Sequence, residues 1–340
     1  MNLARLASRW LLAMTAVALP AFASAGCLDG KPLRGVNMAG AEFNGTRMPG
    51  QVFKDYTYPT NADLQYFADL GATAIRLPFR WERLQRTLKG PLDPGELLLI
   101  RRVAETTQSR KMCLVLDLHN FGTYLRQKVG SDEVPVDAFV DFWLRMSKAL
   151  PDTSAIAFGL MNEPAHMDLA VWGEASSKAL KALRDAGDEH LVIVAGGAWS
   201  GAHDWMQAKK GGRSNAQTFA DLRDPLDRLL IEVHQYADSD HSGSKADCMP
   251  ADRMRATLGR VRDWAVENRQ KLFLGEFATA DSPACLETLQ AMLESMREPP
   301  WAGWTYWAAG AWWGNKYIFN VHPIPGVNHG QVPLLQKEMQ

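Results

Sequence analysis

The chain has 340 residues, 46% of them hydrophobic and 22% charged, enough apolar material for a large core and no bias toward disorder or a collagen repeat. Lys and Arg number 37 against 38 Asp and Glu, a formal charge of −1 that gives no electrostatic grip on polyanions and argues against nucleic acid as a partner. At the N-terminus, Arg5 and Arg9 precede an apolar run from Trp10 to Leu19, followed by Pro20 and the small-residue site Ala23-Ser24-Ala25. That order predicts a secretory signal peptide over residues 1–25. The run is short for a bilayer, and no other uncharged stretch of about 20 apolar residues follows. Residues 26–340 are therefore expected as a secreted protein, extracellular or periplasmic, without stable membrane insertion. Lipidation of Cys27 ranks second, because the preceding Ser24-Ala25-Gly26 are small but lack the aliphatic residue that a lipoprotein signal normally places first.

From Leu33 onward, short β-rich apolar runs alternate with longer helical patterns. Eight runs stand out: Leu33–Met38, Ala74–Leu77, Met112–Leu118, Ala155–Met161, Leu191–Gly196, Leu229–His234, Leu272–Gly275 and Gly303–Trp307. Their starts recur at roughly the length of a βα unit with its return loop. Between them, Asn61 can cap a run in which Leu64, Phe67, Ala68 and Leu70 keep helical spacing, and Ala138, Phe139, Phe142, Trp143 and Met146 repeat the pattern. Strand and helix alternating eight times predict an α/β protein, a closed (β/α)8 TIM barrel. An open doubly wound sheet is the weaker reading, since the glycine-rich phosphate turn it often carries is absent. No linker or low-complexity tract divides the chain, so one domain is expected over 26–340. Among the four cysteines, Cys113 opens an apolar strand and reads as a small buried hydrophobe. Cys248 and Cys285 follow two successive strands and are expected to bridge across neighbouring loops.

In a parallel barrel the C-terminal strand ends converge on one face, where active sites are built. Six predicted strands end there in groups that donate, accept or stack: Arg76; Asp117-Leu118-His119-Asn120; Asn162-Glu163; His234-Gln235-Tyr236; Glu276; and Tyr306-Trp307. A single ionisable residue at such a place is most often a structural ion pair, but six on one rim are not explained that way. Glu163 and Glu276 supply the two carboxyls that glycosidic cleavage needs, one protonating the departing oxygen and the other capturing the sugar centre. Strands four and seven face each other across the barrel, so the pair can approach to the separation that favours a covalent intermediate and retained stereochemistry. Arg76 and Tyr236 are expected to hold Glu276 ionised, and the charge of Glu276 to keep Glu163 protonated. Asn162 suits the sugar 2-hydroxyl, while His119 and His234 suit hydroxyl binding and carboxylate orientation. A metal is not expected, because neither histidine belongs to a tight ligand pair and spacing indicates no third ligand; nor is any other cofactor. Twelve tryptophans are many for this length, and of the eight at predicted strand ends or following loops, Trp81, Trp199, Trp205, Trp301, Trp304, Trp307, Trp312 and Trp313, about half are expected in the core. Trp199, Trp307, Trp312 and Trp313 follow predicted strands and are assigned to sugar stacking.

At these residues the sequence resembles glycoside hydrolase family 5, specifically its bacterial and fungal endo-β-1,4-glucanases. The resemblance runs from about Leu33 to Pro323, on Arg-Gly-Val-Asn-Met-Ala-Gly (34–40), Ile-Arg-Leu-Pro-Phe-Arg-Trp-Glu-Arg-Leu-Gln (75–85), Gly-Leu-Met-Asn-Glu-Pro (159–164), Val-His-Gln-Tyr (233–236), Leu-Gly-Glu-Phe (274–277) and Trp-Thr-Tyr-Trp-Ala-Ala-Gly (304–310). It implies Glu163 as acid/base and Glu276 as nucleophile, with Arg76, His119, Asn162, His234, Tyr236 and Trp307 in support. The implied partner is a β-glucan polysaccharide, cut by a monomer. The alternatives are the same mechanism on mannan, mixed-linkage glucan or xyloglucan, and a carbohydrate-binding barrel without turnover. One departure is Leu118, where close relatives often have Pro or Met.

Overall fold

The computed structural model describes residues 26–27, 30–165, 167–209 and 211–340. The expected signal peptide lies outside them. Eight strands, β1 (Leu33–Met38), β2 (Ala74–Phe79), β3 (Cys113–Leu118), β4 (Ile156–Gly159), β5 (Leu191–Ala195), β6 (Leu229–Tyr236), β7 (Leu272–Ala278) and β8 (Trp301–Ala309), pair in parallel and close on themselves, β1 meeting both β2 and β8. Each is followed by a helix: α1 (Asn61–Asp69), α2 (Pro94–Ser109), α3 (Val136–Ala149), α4 (Leu169–Asp185), α5 (Asn215–Phe219), α6 (Ala251–Glu267), α7 (Pro283–Ser295) and α8 (Gln331–Met339). This is the (β/α)8 barrel that the alternation predicts. The helix over 61–69 is capped one residue earlier than expected: Thr60 accepts from Asp63 N, and Asp63 returns the bond to Thr60 N, a capping box. In α3 the five apolar residues picked out by spacing are the buried ones.

Successive residues of a strand face opposite ways, and the barrel interior uses this to stack two unlike layers. At the bottom, Leu33, Ala74, Cys113, Val115, Ala157, Leu191, Ile193, Leu230 and Phe273 form an apolar plug. Two residues further along their strands come Arg76, Asp117 and Glu232, all buried. The interior therefore turns from hydrocarbon to charge toward the C-terminal face. Outside the strands, the helices complete a second, larger core.

Cys27 is bonded to Cys113 at the bottom of the barrel, so Cys113 is half of a bridge and not a free hydrophobe. The same bond occupies the Cys27 sulfur that lipidation would need. Cys248 and Cys285 form a second bridge, between the segment before α6 and the start of α7. Helix α8 closes the seam between the first and last strands: Leu335 and Met339 are buried, Arg34 Nη1 donates to Glu338 O at 2.5 Å, and Arg297 pairs with the Glu338 carboxylate at 2.5 Å. Among the described residues no helix is long and apolar enough to cross a membrane.

Candidate active site

Strand β4 stops at Gly159, and Glu163 takes a left-handed backbone conformation (φ 40°) just beyond it. Its Oε1 meets His234 Nδ1 at 2.6 Å. On β6 the inward positions are Glu232, His234 and Tyr236, two residues apart, and Glu232 Oε1 takes the other ring nitrogen of His234 at 3.0 Å. Strands β6 and β7 run in register through Val233 and Leu274, then slip so that His234 lies opposite Glu276. Gly275 is the extra residue of this bulge, and its missing side chain is required: a Cβ there would lie 1.7 Å from Glu232 Oε1. Beyond the bulge, Glu276 Oε2 accepts from the Tyr236 hydroxyl at 2.7 Å and Oε1 from Arg76 Nη1 at 3.0 Å. One oxygen of Glu163, one of Glu276 and one ring nitrogen of His234 all lie within 4.8 Å of one another.

Arg76 sits beneath this group. Its guanidinium donates to Asn37 Oδ1 at 2.7 Å and Asn162 Oδ1 at 2.6 Å, and pairs with Asp117 at 3.1 Å, Glu232 at 3.0 Å and Glu276 at 3.0 Å. It is wholly buried (0% exposed). The expectation that Arg76 binds substrate is thus corrected: it holds the residues that face the cleft and has no surface of its own to offer a ligand. Asn37 and Glu232 were not picked out from sequence, and Asp117 was named there only as part of the third strand's end, without a role. The last two were within reach of it, since each stands two positions before a rim histidine and so shares its face of the strand.

The electrostatics follow from so many charges in a buried site. Burial pushes the Glu163 carboxyl up to about 7; the hydrogen bond and charge of His234 act against this, and the Glu276 charge adds to it. Burial is thus the leading cause, and the repulsion from Glu276 expected to do this work is secondary. Burial alone would drive the His234 imidazole down, but Glu276, Glu163 and Glu232 around it hold it up to about 10. His119 is lowered to about 3 by burial, which makes it neutral. With Nδ1 against Asp117 Oδ2 at 2.7 Å, that neutral ring carries its proton on Nδ1. The carboxylate atoms and His234 are also close enough to suggest a metal site, a grouping that sequence spacing did not reveal. Their donor atoms are already engaged with one another and with Arg76 and Tyr236, and the Arg76 cation lies 3.0 Å from Glu276, so the cluster is poorly suited to a second cation.

Above the charged layer lies a cleft of about 530 Å³, within the range of ligand sites. His119, Asn162, Glu163, Trp199, His234, Tyr236, Glu276 and Trp307 line it. The Trp307 indole stacks on His119 (5.5 Å, 15°) and donates from Nε1 to the Tyr317 hydroxyl at 2.8 Å. The stacked pair His203 and His241 forms a further wall that sequence did not single out. Trp312 and Trp313 are not among the cleft walls, contrary to expectation. Trp313 instead stacks on Tyr317 (4.0 Å, 15°) and meets the edge of Phe43, supporting the Trp307 side from behind, while Trp312 is exposed.

Comparison with known proteins agrees with this geometry. Residues 36–312 match the family described as Cellulase (glycosyl hydrolase family 5). The solved structure of XacCel5A in complex with cellopentaose is 43% identical, with a TM-score of 0.88, over 91% of this chain and 99% of that one. The endo-beta-1,4-glucanase Xac0029 from Xanthomonas axonopodis pv. citri is 39% identical, also with a TM-score of 0.88, over 91% and 98%. Endo-beta-1,4-glucanase A of Emericella nidulans is 30% identical over 297 residues, 86% of this chain and 87% of its own. With the barrel, the ordered motifs and these likenesses in agreement, the chain belongs to the cellulase family, glycosyl hydrolase family 5.

Proposed function

We propose that the protein hydrolyses internal β-1,4-glucosidic bonds of cellulose or soluble β-glucan by double displacement, with Glu276 as nucleophile and Glu163 as acid/base. One observation carries this reading: the two carboxyls face one cleft with oxygens within 4.8 Å. Retaining glycosidases keep their carboxyls about 5–5.5 Å apart, whereas inverting ones leave about 6.5–9.5 Å for a water. In the first step a Glu276 oxygen bonds to the anomeric carbon as the bond to the leaving oxygen breaks, and Glu163 gives that oxygen its proton. In the second, Glu163 takes a proton from water, the water oxygen attacks the same carbon, and Glu276 leaves as carboxylate. Donors on both oxygens of Glu276 suit the anion that attacks and later departs. A charged His234 occupies Glu163 Oε1, so the acid proton belongs on Oε2. Asn162 Oδ1 is taken by Arg76, which leaves its amide nitrogen to donate to the sugar 2-hydroxyl.

The choice of β-1,4-glucan draws on the relative crystallised with cellopentaose. Export is supported by the two disulfides, which persist in oxidising compartments. The cleft is formed within one chain, consistent with action as a monomer. Reducing-sugar release from carboxymethylcellulose, mannan, mixed-linkage glucan and xyloglucan tests the substrate, and rapid release from mannan with none from carboxymethylcellulose overturns it. Glu163→Gln and Glu276→Gln variants are each expected to lose most hydrolysis while still binding cello-oligosaccharide; full activity in either refutes the roles. NMR of the first products reports the anomer, which is expected to be β.

A further inference from the structure

Strand β8 carries one wall of the cleft, and the chain beyond it comes back to hold that wall. Trp307 lines the cleft and is 8% exposed. After residues 310–316 the chain returns to the strand it left: Ala308 N donates to Phe319 O at 3.3 Å, and Val321 N to Ala308 O at 3.0 Å. Tyr317 stands at the start of this return. Its hydroxyl accepts from Trp307 Nε1 at 2.8 Å, and Tyr317 is not itself among the cleft walls. Its ring meets the edge of Phe319 (5.7 Å, 74°), which stacks on Tyr236 (6.2 Å, 26°). The ring of Tyr317 therefore packs toward the Glu276 side, while its oxygen serves Trp307.

A hydrogen bond distinguishes the settings of a flat indole more sharply than packing does. The torsion that turns the ring has roughly two-fold preferences, and a flip exchanges the N–H edge for a carbon edge. The indole N–H is a donor only, so an acceptor at 2.8 Å selects one setting, provided the acceptor is itself fixed. Tyr317 is fixed by its stack on Trp313 (4.0 Å, 15°), which the edge of Phe43 holds in turn (4.8 Å, 71°). Burial keeps the phenol well above its ordinary range, so it stays a neutral hydroxyl.

We propose that Tyr317 is a positioning residue: its hydroxyl locks the Trp307 indole in the one orientation that serves as a platform for a glucosyl unit. This rests on the reading of the cleft as a β-1,4-glucan site. With Nε1 engaged by the protein, Trp307 contributes a stacking surface and not a donor. The platform is also ordered before substrate arrives, so little ordering is lost on binding.

Tyr317→Phe keeps the ring contacts and removes only the acceptor. Its kcat/KM on cellohexaose should fall about tenfold, because a mostly buried N–H loses its partner. Trp307→Phe has no N–H to hold, so adding Tyr317→Phe to it should cost less than about a further twofold. Proton–nitrogen NMR reads the bond directly, with the indole signal of Trp307 assigned by its disappearance in Trp307→Phe. In the parent, that hydrogen should exchange with water at least about tenfold more slowly than the indole hydrogen of the exposed Trp312. Tyr317→Phe should speed it while leaving Trp143 and Trp172 unchanged, since their indoles donate to Leu160 O and Ala195 O. Parental kcat/KM in Tyr317→Phe overturns the proposal, as does an equal loss in both backgrounds. Where Tyr317→Phe does not fold, exchange in the parent decides: a Trp307 indole hydrogen as fast as that of Trp312 overturns it. A parent inactive on every β-glucan overturns the hydrolase reading itself, a result distinct from an active parent insensitive to loss of the Tyr317 hydroxyl.

Discussion

Replacing Gly275 with alanine tests how the carboxylate pair is held. The added Cβ would lie 1.7 Å from Glu232 Oε1 and 2.5 Å from its carboxyl carbon. To reach ordinary contact the carboxylate must retreat by about 1 Å or more. The same oxygen contacts His234 Nε2 and Arg76 Nη2, each at 3.0 Å, so retreat takes both beyond good hydrogen-bonding distance. His234 in turn bonds Glu163, and Arg76 bonds Glu276. One methyl group therefore loosens both Glu163 and Glu276, the proposed catalytic pair, without touching either. Misplacement of about 1 Å costs roughly 100-fold in rate, and disrupting a buried ion pair costs about 3–5 kcal/mol of stability. The assay is kcat and KM on cellohexaose alongside thermal melting of the same preparation. A fall of about 100-fold, mostly in kcat, is expected with a lower melting temperature. Pairing the change with Glu232→Asp, which withdraws the carboxylate by one methylene, should recover part of the loss. A Gly275→Ala enzyme with parental kcat and melting temperature refutes the idea that Glu232 holds the pair in place.

Three further outcomes follow from the same structure. In its proposed role as acid Glu163 must be protonated, and burial pushes its carboxyl up to about 7, so kcat/KM should fall as pH rises through about 7; with a dinitrophenyl cellobioside, whose leaving group needs little protonation, that alkaline limb should vanish in Glu163→Gln. Arg76→Lys leaves one point charge where a planar guanidinium meets five partners, and a loss of at least about 100-fold in kcat with clear destabilisation is expected by steady-state kinetics and melting. The Cys27–Cys113 bridge spans 86 residues of sequence; the double change Cys27→Ala with Cys113→Ala should lower unfolding free energy by about 2–4 kcal/mol in denaturant titration, with kcat unchanged because the bridge lies at the opposite end of the barrel.

Much of the fold was legible because the eight barrel strands are apolar runs and the helices between them keep a single buried stripe. In α3 that stripe identifies Ala138, Phe139, Phe142, Trp143 and Met146 correctly. Boundaries were harder. Strands β6 and β7 run past the predicted ends at His234 and Gly275, because rim residues that look like loop chemistry still pair along the barrel. The two glutamates and the cleft residues His119, Asn162, Trp199, His234, Tyr236 and Trp307 were found as polar or aromatic groups at strand ends. The layer beneath them was missed or misread for one physical reason. Asp117, Glu232 and Arg76 are charges sealed inside a barrel, and only their mutual pairing, invisible in a linear sequence, makes that burial tolerable. Trp312 and Trp313 erred differently, since adjacency in sequence does not tell which side of a loop an indole takes.

The clasp formed by α8 across the β1–β8 junction has a practical meaning for handling the molecule. Arg34 stands early in β1, so the helix ends near the floor of the cylinder, far from the mouth where glycan would enter. A tag or carrier attached after Gln340 leaves that mouth unobstructed. Trimming back into the helix would instead strip Leu335 and Met339 from the junction and weaken the closure of the cylinder there.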